Sequence, residues 1–288
     1  MSTLEVVNVY KSFRKNEVLK DINFKADNGI VGILGYHGSG KTVLMNLISG
    51  LTKPTQGKIL INGLDTVEKS MKVKEQVGYL PQDFSLYDEL NAYEMLGYIS
   101  KLNKIGTRQQ IDERMDEVLE LVNLKGAAYR KIGSYSPGMR RRLGIALVLI
   151  KDPDIILVDE PTTGLDPLEQ IRFRALLASL GERKLILLST HNVDDIAAAC
   201  DQLVFIKNKT VEFHGTPHEW LGGIQSRIAE AVITDRHQLN TLTREYKVIS
   251  MKQVEGGVHV RLILRSAEPY FSYTLVETEL EDALVYYS

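Results

Sequence analysis

Residues Gly35-Tyr36-His37-Gly38-Ser39-Gly40-Lys41-Thr42 set two glycines around four residues and follow them with a lysine and a hydroxyl residue. This is the full pattern of a phosphate-binding loop. Its flanks fit as well. Ile30, Val31, Ile33 and Leu34 form a short β-prone apolar run into the loop, and Val43 to Ile48 continue with helical spacing up to Gly50. A strand feeding a glycine loop that opens a helix turns backbone N–H groups and the positive end of the helix dipole toward an anion. Lys41 is then expected to neutralise β/γ-phosphate charge, and Thr42 to offer its hydroxyl to Mg²⁺, a hard cation that prefers oxygen ligands. The pattern implies a nucleoside-triphosphate site.

The 288 residues suffice for one large domain and a small appendage. A 44% hydrophobic and 25% charged composition is that of a globular protein with a sizeable core, and a net charge of −2 without a basic tail argues against a nucleic-acid partner. Cys200 is the one cysteine, so no intrachain disulfide is available and a reducing compartment is expected. Residues 1 to 20 alternate charged and apolar side chains and lack the continuous apolar core of a signal peptide. The longest apolar stretches, Leu143 to Ile150 and Ile155 to Val158, fall far short of the roughly 20 residues that span a bilayer. Any membrane role must come through a partner.

Leu4 to Tyr10 and Val18 to Phe24 read as antiparallel edge strands around a polar turn, and Asn28-Gly29 and Asn62-Gly63 mark turns on either side of further strands. From Leu86 to about Leu124 the spacing becomes helical, with Tyr93, Leu96, Ile99, Ile111, Met115, Val118, Leu119 and Val122 at three- and four-residue intervals. A helical subdomain over about 85–150 is expected. Ile155 to Val158, Leu185 to Leu188 and Leu203 to Ile206 are continuous apolar runs that alternate with helical stretches, which suits a parallel sheet buried on both faces. Pro217 and Gly222-Gly223 mark a boundary, giving a main domain over 1–222 and a small α+β unit over 223–288.

Ile155 to Val158 end in Asp159 and Glu160. A carboxylate at a buried strand end is the companion a phosphate loop needs: Asp159 to hold Mg²⁺, and Glu160, turned the other way, to orient and deprotonate the attacking water.

With these residues in place the chain resembles the ATP-binding subunit of an ABC transporter, over roughly residues 2 to 220. Five further segments carry the resemblance. Phe13 takes the place of the aromatic that stacks on adenine. Gln82, after Leu80-Pro81, matches the glutamine that touches Mg²⁺ and water and reports to the membrane subunit. Ser136 to Arg142 resemble the signature segment that grips the γ-phosphate held by an opposite subunit, with two departures: Pro137 stands where a glycine is usual, and Met139 where glutamine is frequent. Proline lacks an N–H, which leaves Ser136 and Gly138 as the anion ligands. Gly164-Leu165-Asp166 match the segment that crosses between paired ATPase domains, and His191 the histidine that contacts γ-phosphate.

The resemblance implies an α/β phosphate-loop ATPase core with a mostly parallel sheet, an N-terminal antiparallel β subdomain, a helical subdomain and a small C-terminal domain. It implies head-to-tail pairing around two ATP molecules with Mg²⁺, because loop and signature serve opposite faces. With both Glu160 and His191 present a homodimer is favoured, and a heterodimer stays open. The expected partner is a membrane-spanning permease subunit, received in a groove lined by Tyr79, Phe84, Leu86 and Tyr87 unless these side chains are simply core, and the expected location is the cytoplasmic face of the cell membrane. The C-terminal unit resembles extensions found on exporter ATPases whose membrane half is separately encoded, and its segment Glu279 to Leu284 resembles the acidic-leucine helix that closes such chains. A soluble ATPase of the same class is the alternative, and a switch or kinase lacking a partner-completed site is disfavoured by the signature and Asp166 segments. The transported substrate is not written in this chain.

Overall fold

The computed structural model describes residues 2–264 and 271–288. The chain divides into two compact units, Met1–His214 and Gly215–Ser288. The boundary thus falls before Pro217 rather than at 222. Pro217 and Gly222 bracket a short helix instead of a linker, because Thr216 and Glu219 form a capping box and proline fits the first helical position.

The first unit opens with two long antiparallel strands, β1 (Thr3–Phe13) and β2 (Asn16–Asp27). β3 (Ile30–Leu34) enters the phosphate loop and α1 (Lys41–Ile48) leaves it. β4 (Gln56–Ile61) returns against β1, and β5 (Leu64–Asp65) against β4, giving an antiparallel sheet of order β2-β1-β4-β5. After α2 (Ser70–Gln76) and β6 (Val77–Leu80) come the helices α3 (Ala92–Leu102), α4 (Arg108–Leu121) and α5 (Pro137–Leu149). Asn91 with Glu94 and Thr107 with Gln110 form capping boxes that fix where α3 and α4 begin. β7 (Ile155–Asp159), α6 (Pro167–Gly181), β8 (Leu185–Thr190), α7 (Val193–Ala199), β9 (Gln202–Lys207) and β10 (Thr210–Gly215) complete it.

The second sheet has six strands in the order β10-β9-β3-β8-β7-β6, with β3 parallel to β8 and β9, and β7 parallel to β8 and β6. Its continuous apolar strands are buried on both faces, and the pleat sorts them. Val31, Ile33, Ile155, Leu157, Leu185 and Leu187 pack with α1 and the antiparallel sheet, whereas Ile30, Ile156, Val158, Ile186 and Leu188 pack with the helices. Parallel register carries the ends of these strands to one edge: Leu34 lies beside Thr190, and Asp159 beside Ser189. Two strands of this sheet lie outside the sequence expectation, β6 and β10. Gly78 interrupts the apolar run of β6, and half-exposed polar residues dilute the alternation of β10.

In the second unit, helix α8 (Pro217–Gly222) precedes β11 (Ile228–Ile233), α9 (Arg236–Glu245), β12 (Lys247–Val254), β13 (Gly257–Ile263), β14 (Thr274–Leu275) and α10 (Leu280–Tyr287). The sheet is antiparallel in the order β12-β13-β11-β14. Ala229, Ala231, Ile233, Val260 and Leu262 bury one face against Leu242 and Tyr246. On β13, Arg261 clamps the fully buried Asp282 of α10 through Nε and Nη2, at 2.8 and 2.7 Å, and reaches Glu230 at 2.8 Å. The Asp282 bond holds the Arg261 guanidinium above its ordinary pKa.

Removing one member of a buried ion pair strands its partner and costs about 3 kcal/mol. Asp282→Ala should therefore lower the urea midpoint of this unit, followed by the fluorescence of Trp220, the one tryptophan, which stacks on Tyr287. Arg261→Met with Asp282→Leu should recover part of the loss, since replacing both charges removes the stranded group.

Candidate active site

β3 delivers Gly35 into a tight turn where a Cβ would lie 2.5 Å from Ser39 Oγ and 2.7 Å from the Ile206 carbonyl. Gly40 caps α1 at φ +100, in the left-handed region open to glycine. Lys41 follows with its ammonium buried. Nζ donates to the carbonyls of Gly35 (2.7 Å) and Tyr36 (3.2 Å) and lies 3.4 Å from Glu160 Oε1. Inside the loop, Ser39 Oγ is buried with no hydrogen-bond partner. An orphaned hydroxyl, an ammonium and a glycine-shaped turn at a helix N-terminus fit an anion with several oxygens.

Asp159 and Glu160, at the end of β7, point to different surroundings. Asp159 is fully buried; Ser189 Oγ donates to Oδ1, and the Tyr79 hydroxyl lies 3.5 Å from Oδ2. Burial, then the Asp159 charge, push the Tyr79 phenol well above its usual pKa. Glu160 adopts φ +46, rare for a residue with a side chain. Its Oε2 meets His191 Nδ1 at 2.7 Å and accepts from Thr163 Oγ1 at 3.3 Å. His191 is two-fifths exposed, so Glu160 links the buried lysine to an imidazole that reaches the surface. The His37 ring packs against that imidazole at a tilt of 41°, with ring centroids 4.4 Å apart.

Phe13, Gln82, Ser136, Gly138 and Asp166 are held by contacts other than those that join Lys41, Glu160 and His191. Phe13 is half-exposed at the end of β1, with Lys11 Nζ 4.8 Å from its ring centroid. Gln82 is exposed. Ser136 Oγ accepts from the Met139 N–H and starts α5, with Pro137 as its first residue, and Asp166 does the same for Glu169 at the start of α6. A Cβ on Gly138 would come within 2.2 Å of Glu169 Oε2, so α5 and α6 meet closely there. Thr42 is exposed at the start of α1. Among the described residues no group of three His, Cys, Asp or Glu could cage a metal. The available donors, the Thr42 hydroxyl and the Asp159 carboxylate, are hard oxygens of the kind Mg²⁺ shares with water and phosphate.

Two residues were not singled out by sequence reading. Arg141, on α5, buries its guanidinium against the backbone of Gln82 and of Asp159 to Pro161. Asp195, fully buried on α7, accepts from Thr162 Oγ1 (2.7 Å), Thr190 Oγ1 (2.8 Å) and Arg174 Nε (2.8 Å). It thereby ties the loop after Glu160 to the loop that carries His191. The expected groove also changes. Leu86 is part of the core and Tyr79 turns its hydroxyl to Asp159, whereas Phe84 lies 5.7 Å over Arg141. Tyr87 alone of the four is well exposed, edge to face with Tyr98.

The sequence profile of the family described as ABC transporter matches residues 19–163. The ABC transporter ATP-binding protein NatA of Bacillus subtilis is 37% identical over 202 residues, 69% of this chain and 82% of that protein. The lipopolysaccharide export system ATP-binding protein LptB of Haemophilus influenzae is 34% identical over 223 residues, 76% of this chain and 92% of its own length. A dimeric structure of the ATP-binding cassette MJ0796 in a post-hydrolysis state, bound to ADP and Pi, superposes with a TM-score of 0.66 at 27% identity, covering 74% of this chain and 98% of that one. The chain belongs to the ABC transporter family, as an ATP-binding subunit with ATPase activity.

Lys41→Met keeps the length of the stem and deletes the charge. Loss of charge-assisted bonds worth about 1.5–3 kcal/mol should weaken ATP binding roughly 10- to 100-fold, read by titration of a fluorescent ATP analogue.

Proposed function

We propose that this ATPase powers export through a separate membrane-spanning subunit, working as a head-to-tail pair in which each ATP is closed in by both copies. The observation that carries the catalytic part is the run from Lys41 through Glu160 to His191, with contacts of 3.4 and 2.7 Å. It puts a carboxylate between the cation expected at the phosphates and an imidazole able to polarise them.

In this reading the backbone of Gly35 to Thr42, including Tyr36, His37, Gly38, Ser39 and Gly40, cradles the phosphates, Lys41 neutralises their charge, and Phe13 stacks on the base. Thr42, Asp159 and Gln82 would hold Mg²⁺, which supplies charge neutralisation at the phosphate oxygens. Glu160 takes a proton from the attacking water, and His191 holds the γ-phosphate end of the site. Ser136 and Gly138 of the second copy supply the remaining ligands, and Asp166 lies on the crossing segment. For Ser136 this requires a shared role: its hydroxyl can accept from the Met139 N–H and still donate to a phosphate oxygen.

Export is supported by the relative named for lipopolysaccharide export. A separate permease is supported by the relatives named as ATP-binding proteins of transport and export systems; among the described residues no helix is long and apolar enough to cross a membrane. That partner would hold the chain at the cytoplasmic face of the cell membrane. A homodimer needs no further component, because Glu160 and His191 are both present.

Glu160→Gln should cut ATP hydrolysis at least a hundredfold and accumulate an ATP-loaded dimer, seen by light scattering on a sizing column; hydrolysis at the normal rate would sink the assignment of Glu160 as base. Detergent extracts of native membranes should yield the chain together with a membrane-spanning protein. Recovery of the chain alone, wholly outside the membrane fraction, would contradict the coupling.

A further inference from the structure

We propose that Arg141 is a positioning residue for ATP hydrolysis: it fixes the backbone that presents Glu160 and ties it to the segment carrying Gln82. The proposal rests on the reading of Glu160 as the group that deprotonates water.

Arg141 lies one turn into α5 with its guanidinium buried. A buried cation persists where its donors are met, and here every acceptor is a main-chain carbonyl. Nε donates to Pro161 O at 3.1 Å, Nη1 to Gln82 O at 2.7 Å, and Nη2 to Asp159 O at 2.9 Å and Glu160 O at 2.5 Å. Three of these carbonyls are consecutive at the end of β7, and the fourth follows β6. The ring of Phe84 covers the guanidinium, 5.7 Å from ring centroid to Cζ.

The backbone so gripped is the strained one. Glu160 sits at φ +46, a conformation that persists when its surroundings over-determine it. Its N–H donates to Ser189 O at 2.9 Å and its carbonyl accepts from Arg141, so both sides of the residue are pinned. The side chain then projects toward Lys41 and His191. Burial pulls the Arg141 guanidinium below its ordinary pKa, while Asp159, Asp83 and Glu160 act the other way. The planar fork matters beyond the charge, because a lysine ammonium at this position cannot reach four carbonyls spread over two segments. Arg141 also belongs to α5, the helix that Ser136 begins. A shift of that helix therefore moves the Glu160 backbone and the Gln82 segment together.

The test uses the full chain carrying Arg141→Lys, Glu160→Gln, or both, with three readouts: turnover, affinity for a fluorescent ATP analogue, and melting temperature. Misplacing a reacting group by about 1 Å costs on the order of a hundredfold, so Arg141→Lys should lower kcat ten- to a hundred-fold and leave ATP affinity within about threefold. In single turnover the double variant should hydrolyse no more slowly than Glu160→Gln alone, since both changes act on one group. Unchanged kcat in Arg141→Lys, a parallel loss of affinity, or multiplied losses in the double variant would overturn the proposal. If Arg141→Lys does not fold, Phe84→Leu, which uncovers the guanidinium, should reduce kcat about threefold with affinity unchanged; an unaltered kcat there would overturn it equally. The two assignments fail separately. Normal hydrolysis by Glu160→Gln removes the base assignment, whereas a slow Glu160→Gln beside a normal Arg141→Lys removes Arg141 alone.

Discussion

A lysine ammonium almost out of water is the constraint on which the rest of the site depends. Lys41 is 6% exposed, and a buried charge is tolerated when partners surround it. Here the partners come from three directions: the turned-in carbonyls of Gly35 and Tyr36, and the Glu160 carboxylate from the far side. To bring them together, β3 must end next to β8, β8 next to β7, and the loop must turn tightly enough that Gly35 has no room for a side chain. The parallel order of the sheet is thus the arrangement that lets a cation and a carboxylate share a dry corner, where their attraction is only weakly screened.

Two buried side chains extend that corner into the surrounding unit. Asp195 collects Thr162, Thr190 and Arg174, so the loops on either side of the Glu160–His191 contact share one anchor. Arg141 does the equivalent from the helical side, with backbone carbonyls as acceptors. Both follow the rule that a charge out of water must be hydrogen-bonded, and both convert that requirement into fixed loop geometry. The loops themselves carry few apolar anchors, so these polar ties set where Glu160 and His191 stand.

Most of the fold is legible in the sequence because its main devices are local. The spacing from Gly35 to Thr42, the unbroken apolar runs of β7, β8 and β9, and the heptad-like pattern of α3 and α4 announce themselves within a dozen residues. What stays hidden depends on contacts between distant segments. Arg141 reads as one of three arginines on a helix start, and nothing local shows that its acceptors are carbonyls 18 to 59 residues away. Asp195 reads as one of two ordinary acids in a first helical turn. Leu86 and Tyr79 look like groove residues for the same reason: exposure is a property of the packed unit, and the core of the helical layer claims the first while Asp159 claims the second. The boundary near 215 is missed because proline and glycine delimit a helix as readily as a linker.

The central claim is that the loop at Gly35 to Thr42 is half of a site, hydrolysing ATP once a second copy supplies Ser136 and Gly138. The dependence of ATPase rate on protein concentration tests it most directly. At saturating ATP and Mg²⁺, the rate per chain should rise with concentration until dimers are complete and then level off, a more than linear growth in total rate. A rate per chain that is constant down to concentrations where sizing shows only monomer would contradict the account.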